Sequence, residues 1–168
     1  MTLIHARTAA FSGHRTFKMS GNIPPFDGEE TDLPLATRIE EAVKALCTEG
    51  IDTFLCGMAE GFDLEAAEAV LRMRGKNTLP RLIAVAPYRS QAERFDKQTR
   101  ERYAAILAEA DEVVILAETY HAGCFHARND YLVAHASVLL CYYNGSKGGT
   151  HYTVHHAQKL GLRIINLA

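Results

Sequence analysis

Short apolar runs alternate along the chain with longer segments in which apolar residues recur every three or four positions. The first pattern is typical of buried strands and the second of amphipathic helices. Six strands are predicted, at residues 8–12, 51–56, 82–86, 112–117, 138–143 and 163–167. Five helices are predicted between them, at residues 33–49, 62–74, 91–110, 125–135 and 150–160.

This alternation predicts the fold class. A strand that is followed each time by a helix is typical of an α/β protein with a mostly parallel, doubly wound sheet and helices on both faces. The chain has 168 residues, of which 48% are hydrophobic, and this suits one domain with a sizeable core. We therefore expect a single domain over residues 1–168.

Composition and charge limit which molecules the protein is expected to bind and where it is expected to act. A formal net charge of -2 does not favour nucleic acid or acidic membranes as partners. No apolar stretch is long enough to span a bilayer, and His5 and Arg7 interrupt any signal-like run, so we expect a cytoplasmic protein. The cysteines form no C-x-x-C pair and are expected to be free thiols: Cys47, Cys56, Cys124 and Cys141.

Glycine-bearing stretches follow three of the predicted strands. In a parallel sheet the carboxyl ends of the strands lie at one edge, where backbone N–H groups and helix N-termini bind phosphorylated ligands. The pattern therefore predicts one ligand crevice, formed by residues 11–15, 57–63 and 144–150.

The first two junctions each leave an alternative open. Ser12, Gly13, His14 and Arg15 form the first; the glycine lets a ligand approach the backbone and the arginine matches phosphate oxygens, unless it forms a surface ion pair. The second junction opens a helix whose free N–H groups favour an anion. Its candidates are two glycines and two carboxylates: Gly57, Glu60, Gly61 and Asp63.

The carboxylates of the second junction have several possible roles. Asp63 either contacts a ligand or caps its helix, as Glu65 also can. Glu60 would repel a phosphate unless it faces a ribose hydroxyl, a metal or a base edge. If the protein is an enzyme, Glu60 and Asp63 are the candidate acid/base residues.

The third junction carries the strongest signal. Lys147, Gly148, Gly149 and Thr150 combine a positive charge, free N–H groups and a hydroxyl at the start of a helix, all suited to phosphate. The alternative is a flexible turn followed by Thr150 as a helix N-cap. Neither a P-loop nor G-x-G-x-x-G occurs.

Other polar residues are weaker candidates. Arg128 can reach the crevice from a neighbouring helix or remain a solvated charge. No metal site is predicted, because His121, Cys124 and His126 match no standard zinc spacing. Residues 16–32 contain Gly21, Pro24, Pro25 and Gly28 and are expected to form a long loop, either a lid or an excursion without a role.

The order of these motifs resembles the YpsA-like branch of the SLOG superfamily, which is related to the DNA-processing protein DprA and to the LOG phosphoribohydrolases. The resemblance extends from Thr8 to Ala168 and rests on residues 11–15, 57–67, Arg128-Asn129 and 147–150. It implies a Rossmann-like domain whose glycine loops bind a nucleotide or nucleotide-derived ligand. Members of that superfamily often pair, so a homo-oligomer is one possibility and the oligomeric state stays open.

The chain departs from the LOG motif P-G-G-x-G-T-x-x-E, because Thr153 stands where that motif has its glutamate and the leading proline is absent. We therefore expect a cytosolic sensor or carrier for a nucleotide-type ligand, with no further cofactor. The alternative is a hydrolase of the glycosidic or phosphate bond of such a ligand, which uses Glu60 or Asp63. DprA-like nucleic-acid binding is a remote alternative.

Overall fold

Six parallel strands form the centre of the protein in a computed structural model that describes residues 4–15 and 33–168. The strands are β1 (Thr8–Gly13), β2 (Thr53–Cys56), β3 (Arg81–Ala86), β4 (Glu112–Ile115), β5 (Val138–Tyr142) and β6 (Arg163–Asn166). Their order across the sheet is β4-β3-β2-β1-β5-β6, so the direction of winding reverses between β1 and β5. In open α/β sheets, ligands bind outside the carboxyl ends of the strands at this reversal.

Five α-helices are present in the described part of the chain: α1 (Leu35–Thr48), α2 (Phe62–Arg74), α3 (Lys97–Glu109), α4 (Cys124–Ala134) and α5 (Gly149–Lys159). Helices α1, α2 and α3 pack on one face of the sheet, and α4 and α5 pack on the other. The predicted α/β, doubly wound fold is therefore confirmed, and the sheet is entirely parallel.

The predicted helix at residues 91–110 is wrong in its first part. Residues Gln91–Arg94 form a short 3-10 turn, and Phe95 is extended before α3 begins. The Asp96 side chain accepts a hydrogen bond from the Thr99 N–H at 2.8 Å, which makes Asp96 the N-cap of α3. A side chain that caps a helix competes with continuation of the helix toward the N-terminus, and this explains the break.

The two faces of the sheet have separate apolar cores. On the α1–α3 face, the Phe11 ring stacks on Phe54 at 5.5 Å and meets Phe62 edge-on at 6.4 Å. On the other face, Leu55 and Leu139 pack with Leu132 of α4 and Val154 of α5. These contacts fix α2 and α5 against β1 and β5, whose ends Gly13 and Tyr142 pair at the same level.

Two further predictions from the sequence concern membrane-spanning helices and the segment at residues 16–32. No helix in residues 4–15 and 33–168 is long and apolar enough to cross a membrane. The predicted long loop at residues 16–32, whether a lid or an excursion without a role, lies outside the described residues.

Candidate functional site

A cavity of about 370 Å³ opens at the carboxyl end of β1, where the strand order reverses. Residues from the end of β1, from the first turns of α2, α4 and α5 and from the loop before α2 form its wall. They are Phe11, Ser12, Gly13, His14, Arg15, Ala59, Asp63, Phe125, His126, Arg128, Asn129, Gly148, Gly149 and Thr150. All three glycine-bearing junctions therefore contribute to one cavity.

The start of α5 is open to this cavity. Gly148 precedes the helix with φ 146°, a conformation that favours glycine, and no side chain of the described residues caps the helix. The first N–H groups of an α-helix have no partner within the helix, and they carry the positive end of the helix dipole. Because Gly148 occupies the N-cap position, the alternative that Thr150 caps α5 is wrong.

The start of α2 is closed by the protein itself. The Phe62 N–H donates to the carbonyl oxygen of His14 at 3.2 Å, so the residue that follows β1 satisfies the first donor of the helix. A Cβ at Gly13 would overlap the base of the Phe62 side chain. Gly13 lines the cavity. Because it has no side chain, it also leaves the space in the core that the Phe62 side chain fills.

Asp63 lies in the first turn of α2 and is 4% exposed. Its Oδ2 accepts a hydrogen bond from the Ala59 N–H at 3.2 Å, whereas its Oδ1 is buried without a partner among the described residues. Asp63 therefore braces the preceding loop and does not cap α2. Burial raises the pKa of Asp63 from 3.8 to about 6, and Arg128, the Ala59 N–H and Arg15 act in the opposite direction.

Arg128 of α4 is 5% exposed, so the alternative of a solvated helix charge is wrong. Its guanidinium donates to the carbonyl oxygen of Gly57 and, at 2.7 Å, to Oδ1 of Asn129. A Cβ at Gly57 would lie 2.7 Å from Cδ of Arg128, which explains the glycine there. Burial lowers the pKa of Arg128, while the charge of Asp63 acts to raise it.

His14 joins the end of β1 to the loop before α5. It is 2% exposed, and its Nε2 accepts a hydrogen bond from the Asn144 N–H at 3.0 Å. The backbone N–H of His14 donates to the carbonyl oxygen of Tyr142 at 3.2 Å. Its backbone carbonyl oxygen accepts a hydrogen bond from the Phe62 N–H. Through these bonds His14, which belongs to the first glycine junction, is linked to both the second and the third junction.

Arg15 follows His14 and is exposed at the cavity wall. Its guanidinium carbon lies 5.7 Å from the centre of the Phe125 ring, and that of Arg128 lies 5.8 Å from the same ring. Two guanidinium groups and an aromatic ring therefore stand beside the open start of α5. This arrangement suits an anionic group attached to an organic ring.

Comparison with known proteins places the chain in a family. A family model for YpsA, described as the YspA SLOG family, matches residues 9–163. The chain belongs to this family. The resemblance that the motifs predicted is thereby confirmed.

This YpsA family member is similar to a curated protein in sequence and to solved structures in fold. A UPF0398 protein from Halalkalibacterium halodurans is 30% identical over 113 residues, which cover 66% of this chain and 60% of that protein. DNA processing protein A (DprA) from Streptococcus pneumoniae has a similar structure, with a TM-score of 0.62 and 17% identity over 96% of this chain and 50% of the other.

The DNA processing protein A of Helicobacter pylori is also similar in structure, with a TM-score of 0.63 and 18% identity over 96% of this chain and 65% of the other. That protein is described as having a unique single-stranded DNA binding mode. At these identities the two likenesses show a shared fold.

The cavity of the family member does not include every residue that the sequence analysis named. Gly57 contacts Arg128 behind the cavity wall, and Gly61 is the N-cap of α2 with φ 91°. Glu60 is half-buried and Lys147 is exposed, and neither is among the residues that line the cavity. Their predicted contacts with a ligand stay predictions.

Three cavity residues were not proposed as ligand contacts from the sequence: Phe125, His126 and Asn129, the last of which entered only through the family motif. Phe11 and Ala59 belong to the predicted crevice stretches 11–15 and 57–63. The three residues lie in the first turn and a half of α4, close to Arg128. Their signal was the helical spacing around Arg128, which makes residue 125 a neighbour of both residue 128 and residue 129 on the helix surface.

Two histidines from the helices around the cavity contact tyrosine side chains. The His126 ring stacks on Tyr152 at 4.1 Å, and Nδ1 of His151 lies 2.5 Å from the Tyr143 hydroxyl. Residues 4–15 and 33–168 contain no group of three metal-ligating side chains that could hold an ion.

Proposed function

We propose that the cavity binds a nucleotide or a nucleotide-derived ligand such as a nucleotide sugar, and that the protein acts as its sensor or carrier. The observation that carries this proposal is the convergence of the open start of α5, Arg15, buried Arg128 and buried Asp63 on one cavity. These groups match a ligand with an anionic part and a hydroxyl-bearing part.

The anionic part would lie at the start of α5. Backbone N–H groups of Gly149 and Thr150, the Thr150 hydroxyl and the Arg15 guanidinium are all donors suited to phosphate oxygens. Arg128 adds buried positive charge, and it keeps its place through Gly57 and Asn129.

The hydroxyl-bearing part would lie against Asp63. A buried carboxylate oxygen without a partner lowers the stability of the folded state, and a donor that reaches it removes this penalty. A ribose hydroxyl is such a donor. The ligand would therefore bind through its phosphate at α5 and through its sugar at the start of α2.

Isothermal titration calorimetry with inorganic phosphate, nucleoside monophosphates, diphosphates and nucleotide sugars tests this proposal. We expect micromolar binding of at least one nucleotide and weaker binding of phosphate alone. Arg15→Gln should weaken binding roughly tenfold through loss of a charge-assisted hydrogen bond. Arg100→Gln removes an exposed arginine of α3 and is the matched control. Equal effects of the two variants, or no binding by any compound, would contradict the proposal.

The pKa of Asp63 favours a second candidate function. A carboxyl group with a pKa of about 6 can donate and accept a proton near neutral pH, as hydrolysis of a glycosidic or phosphate bond requires. Chromatography of the same compounds after incubation would detect the product. Asp63→Asn should abolish turnover if this function is correct, whereas Glu101→Gln, which changes an exposed carboxylate of α3, should retain it.

Nucleic acid is a third candidate. The net charge of -2 argues against it, but the likeness in fold to the Helicobacter pylori protein, with its described single-stranded DNA binding mode, weakens that argument. A short oligothymidylate belongs in the titration for this reason. Binding that falls steeply with salt concentration and involves Arg15 would support this candidate. The expectation of a cytoplasmic location stays a prediction.

A further inference from the structure

Three aromatic rings pack against one another beside the cavity in a cluster that we call the aromatic shelf: Tyr88, Tyr120 and Phe125. The Tyr88 ring centre lies 5.7 Å from that of Tyr120 and 6.2 Å from that of Phe125. The Tyr120 and Phe125 centres are 6.2 Å apart. Each ring therefore contacts both of the others.

The outer member of the shelf is unusually exposed for an aromatic residue. Tyr88 is only 4% exposed and anchors the shelf in the fold, whereas Tyr120 is 51% exposed. The guanidinium carbon of Arg94 lies 5.3 Å from the centre of the Tyr120 ring. An exposed ring next to a guanidinium group is a surface on which a planar heteroaromatic group stacks well.

The loop that carries Tyr120 is held in place. Arg89 forms two hydrogen bonds to the Glu118 carboxylate, at 2.8 and 2.9 Å, and its N–H donates to the carbonyl oxygen of Ala117 at 3.1 Å. Because the loop is already ordered, a ligand that stacks on Tyr120 would lose little free energy in ordering it.

The shelf is continuous with the cavity. Phe125 belongs to both, and the two guanidinium groups of the cavity, from Arg15 and Arg128, lie over its ring. A ligand whose phosphate lies near Arg15 can therefore extend along Phe125 toward Tyr120 and Arg94.

We infer that the aromatic shelf is a subsite for the nucleobase of the ligand, with Tyr120 and Arg94 as its outer contacts. This inference rests on the proposed binding of a nucleotide. Stacking uses the π-face that every base has, so we expect the shelf to separate ligands with a base from ligands without one and to discriminate weakly between bases.

Calorimetric titration with adenosine 5′-monophosphate, uridine 5′-monophosphate and ribose 5-phosphate tests the subsite, because all three share the ribose and the phosphate. We expect the wild type to bind both nucleotides roughly tenfold more tightly than ribose 5-phosphate. Tyr120→Ala should remove this difference and leave the affinity for ribose 5-phosphate unchanged. Tyr120→Phe keeps the ring and should keep the difference.

Arg94→Ala should reduce the difference between nucleotides and ribose 5-phosphate by a few fold, with Arg100→Ala as the control for loss of a surface charge. Equal affinities of the wild type for all three compounds would overturn the subsite and leave the phosphate cavity intact. A Tyr120→Ala variant that retains the difference would do the same. If none of the three compounds binds, the subsite is overturned, and the wider titration with diphosphates and nucleotide sugars decides the proposed function separately.

Discussion

The starts of α2 and α5 both follow glycine-bearing loops, but different groups surround them. Each follows a strand of the same sheet, each begins after a glycine with positive φ, and neither has a side-chain cap. At α2, the first N–H bonds to the carbonyl oxygen of His14, and the Phe62 ring covers Gly13. At α5, the first turn faces the cavity.

The difference shows that a glycine at a strand–helix junction does not by itself indicate a ligand. Gly13 and Gly57 are glycines because Phe62 and Arg128 occupy the space that a Cβ would take. Gly149, in contrast, has only the Asn129 amide nitrogen nearby, 3.7 Å from the position of a Cβ. The closed junction holds the sheet and helix together, and the open one is the junction at which we propose that a ligand binds.

The largest expected effect comes from Gly13→Ala, at the closed junction. The added methyl group would displace the fully buried Phe62 side chain and lower the free energy of unfolding by about 3 kcal/mol. Urea denaturation of the variant and the wild type measures this. Unchanged stability would show that the α2 junction is less tightly closed than the packing of Phe62 indicates.

Asp63→Asn removes the carboxylate of Asp63, which is the side chain of α2 that lines the cavity at the closed junction. Its pKa in the folded protein, about 6, exceeds its ordinary value of 3.8, so the folded state binds the proton more tightly than the unfolded state. The contribution of Asp63 to stability is therefore present below about pH 4 and is lost as the pH rises to about 6.

Asparagine does not titrate, so the variant should gain stability relative to the wild type over the same window. The gain corresponds to at most about 3 kcal/mol, since one pKa unit equals 1.36 kcal/mol. Urea denaturation at pH 4, 5, 6 and 7 measures the difference. Parallel pH profiles of the two proteins would show that the carboxylate is better solvated than its burial implies.

Gly57→Ala tests the contact between the loop before α2 and Arg128 of α4. The new methyl group would lie 2.7 Å from Cδ of Arg128 and push the guanidinium away from the Gly57 carbonyl oxygen. We expect a loss of about 2 kcal/mol in unfolding free energy, together with weaker phosphate binding. A variant that loses stability but binds phosphate as before would remove Arg128 from the binding site.

The smallest expected effect is that of Gly149→Ala, at the open junction. Its Cβ would make ordinary van der Waals contact with the Asn129 side chain, so the free energy of unfolding should change by less than about 0.5 kcal/mol. Thermal and urea denaturation alongside Gly13→Ala make this a matched pair. A destabilisation comparable to that of Gly13→Ala would contradict the distinction between the two junctions.

Much of the fold could be predicted from local patterns. The helix at residues 62–74 was predicted with its observed bounds, and most other elements differ by one or two residues at their ends. The break at residues 95–96 was missed because Asp96 stops the helix through a hydrogen bond of its own side chain, a signal that apolar spacing does not contain. The aromatic shelf was missed as well, because its members come from separate loops and a helix.

The sequence by itself determined the alternation of strands and helices and the side of the sheet at which the glycine junctions lie. These properties follow from apolar spacing and chain direction, which are local. Only the tertiary structure decided which junction is open, where Arg128 is buried and which rings surround Phe125. These depend on contacts between residues distant along the chain, and the strand order β4-β3-β2-β1-β5-β6 brings those residues together.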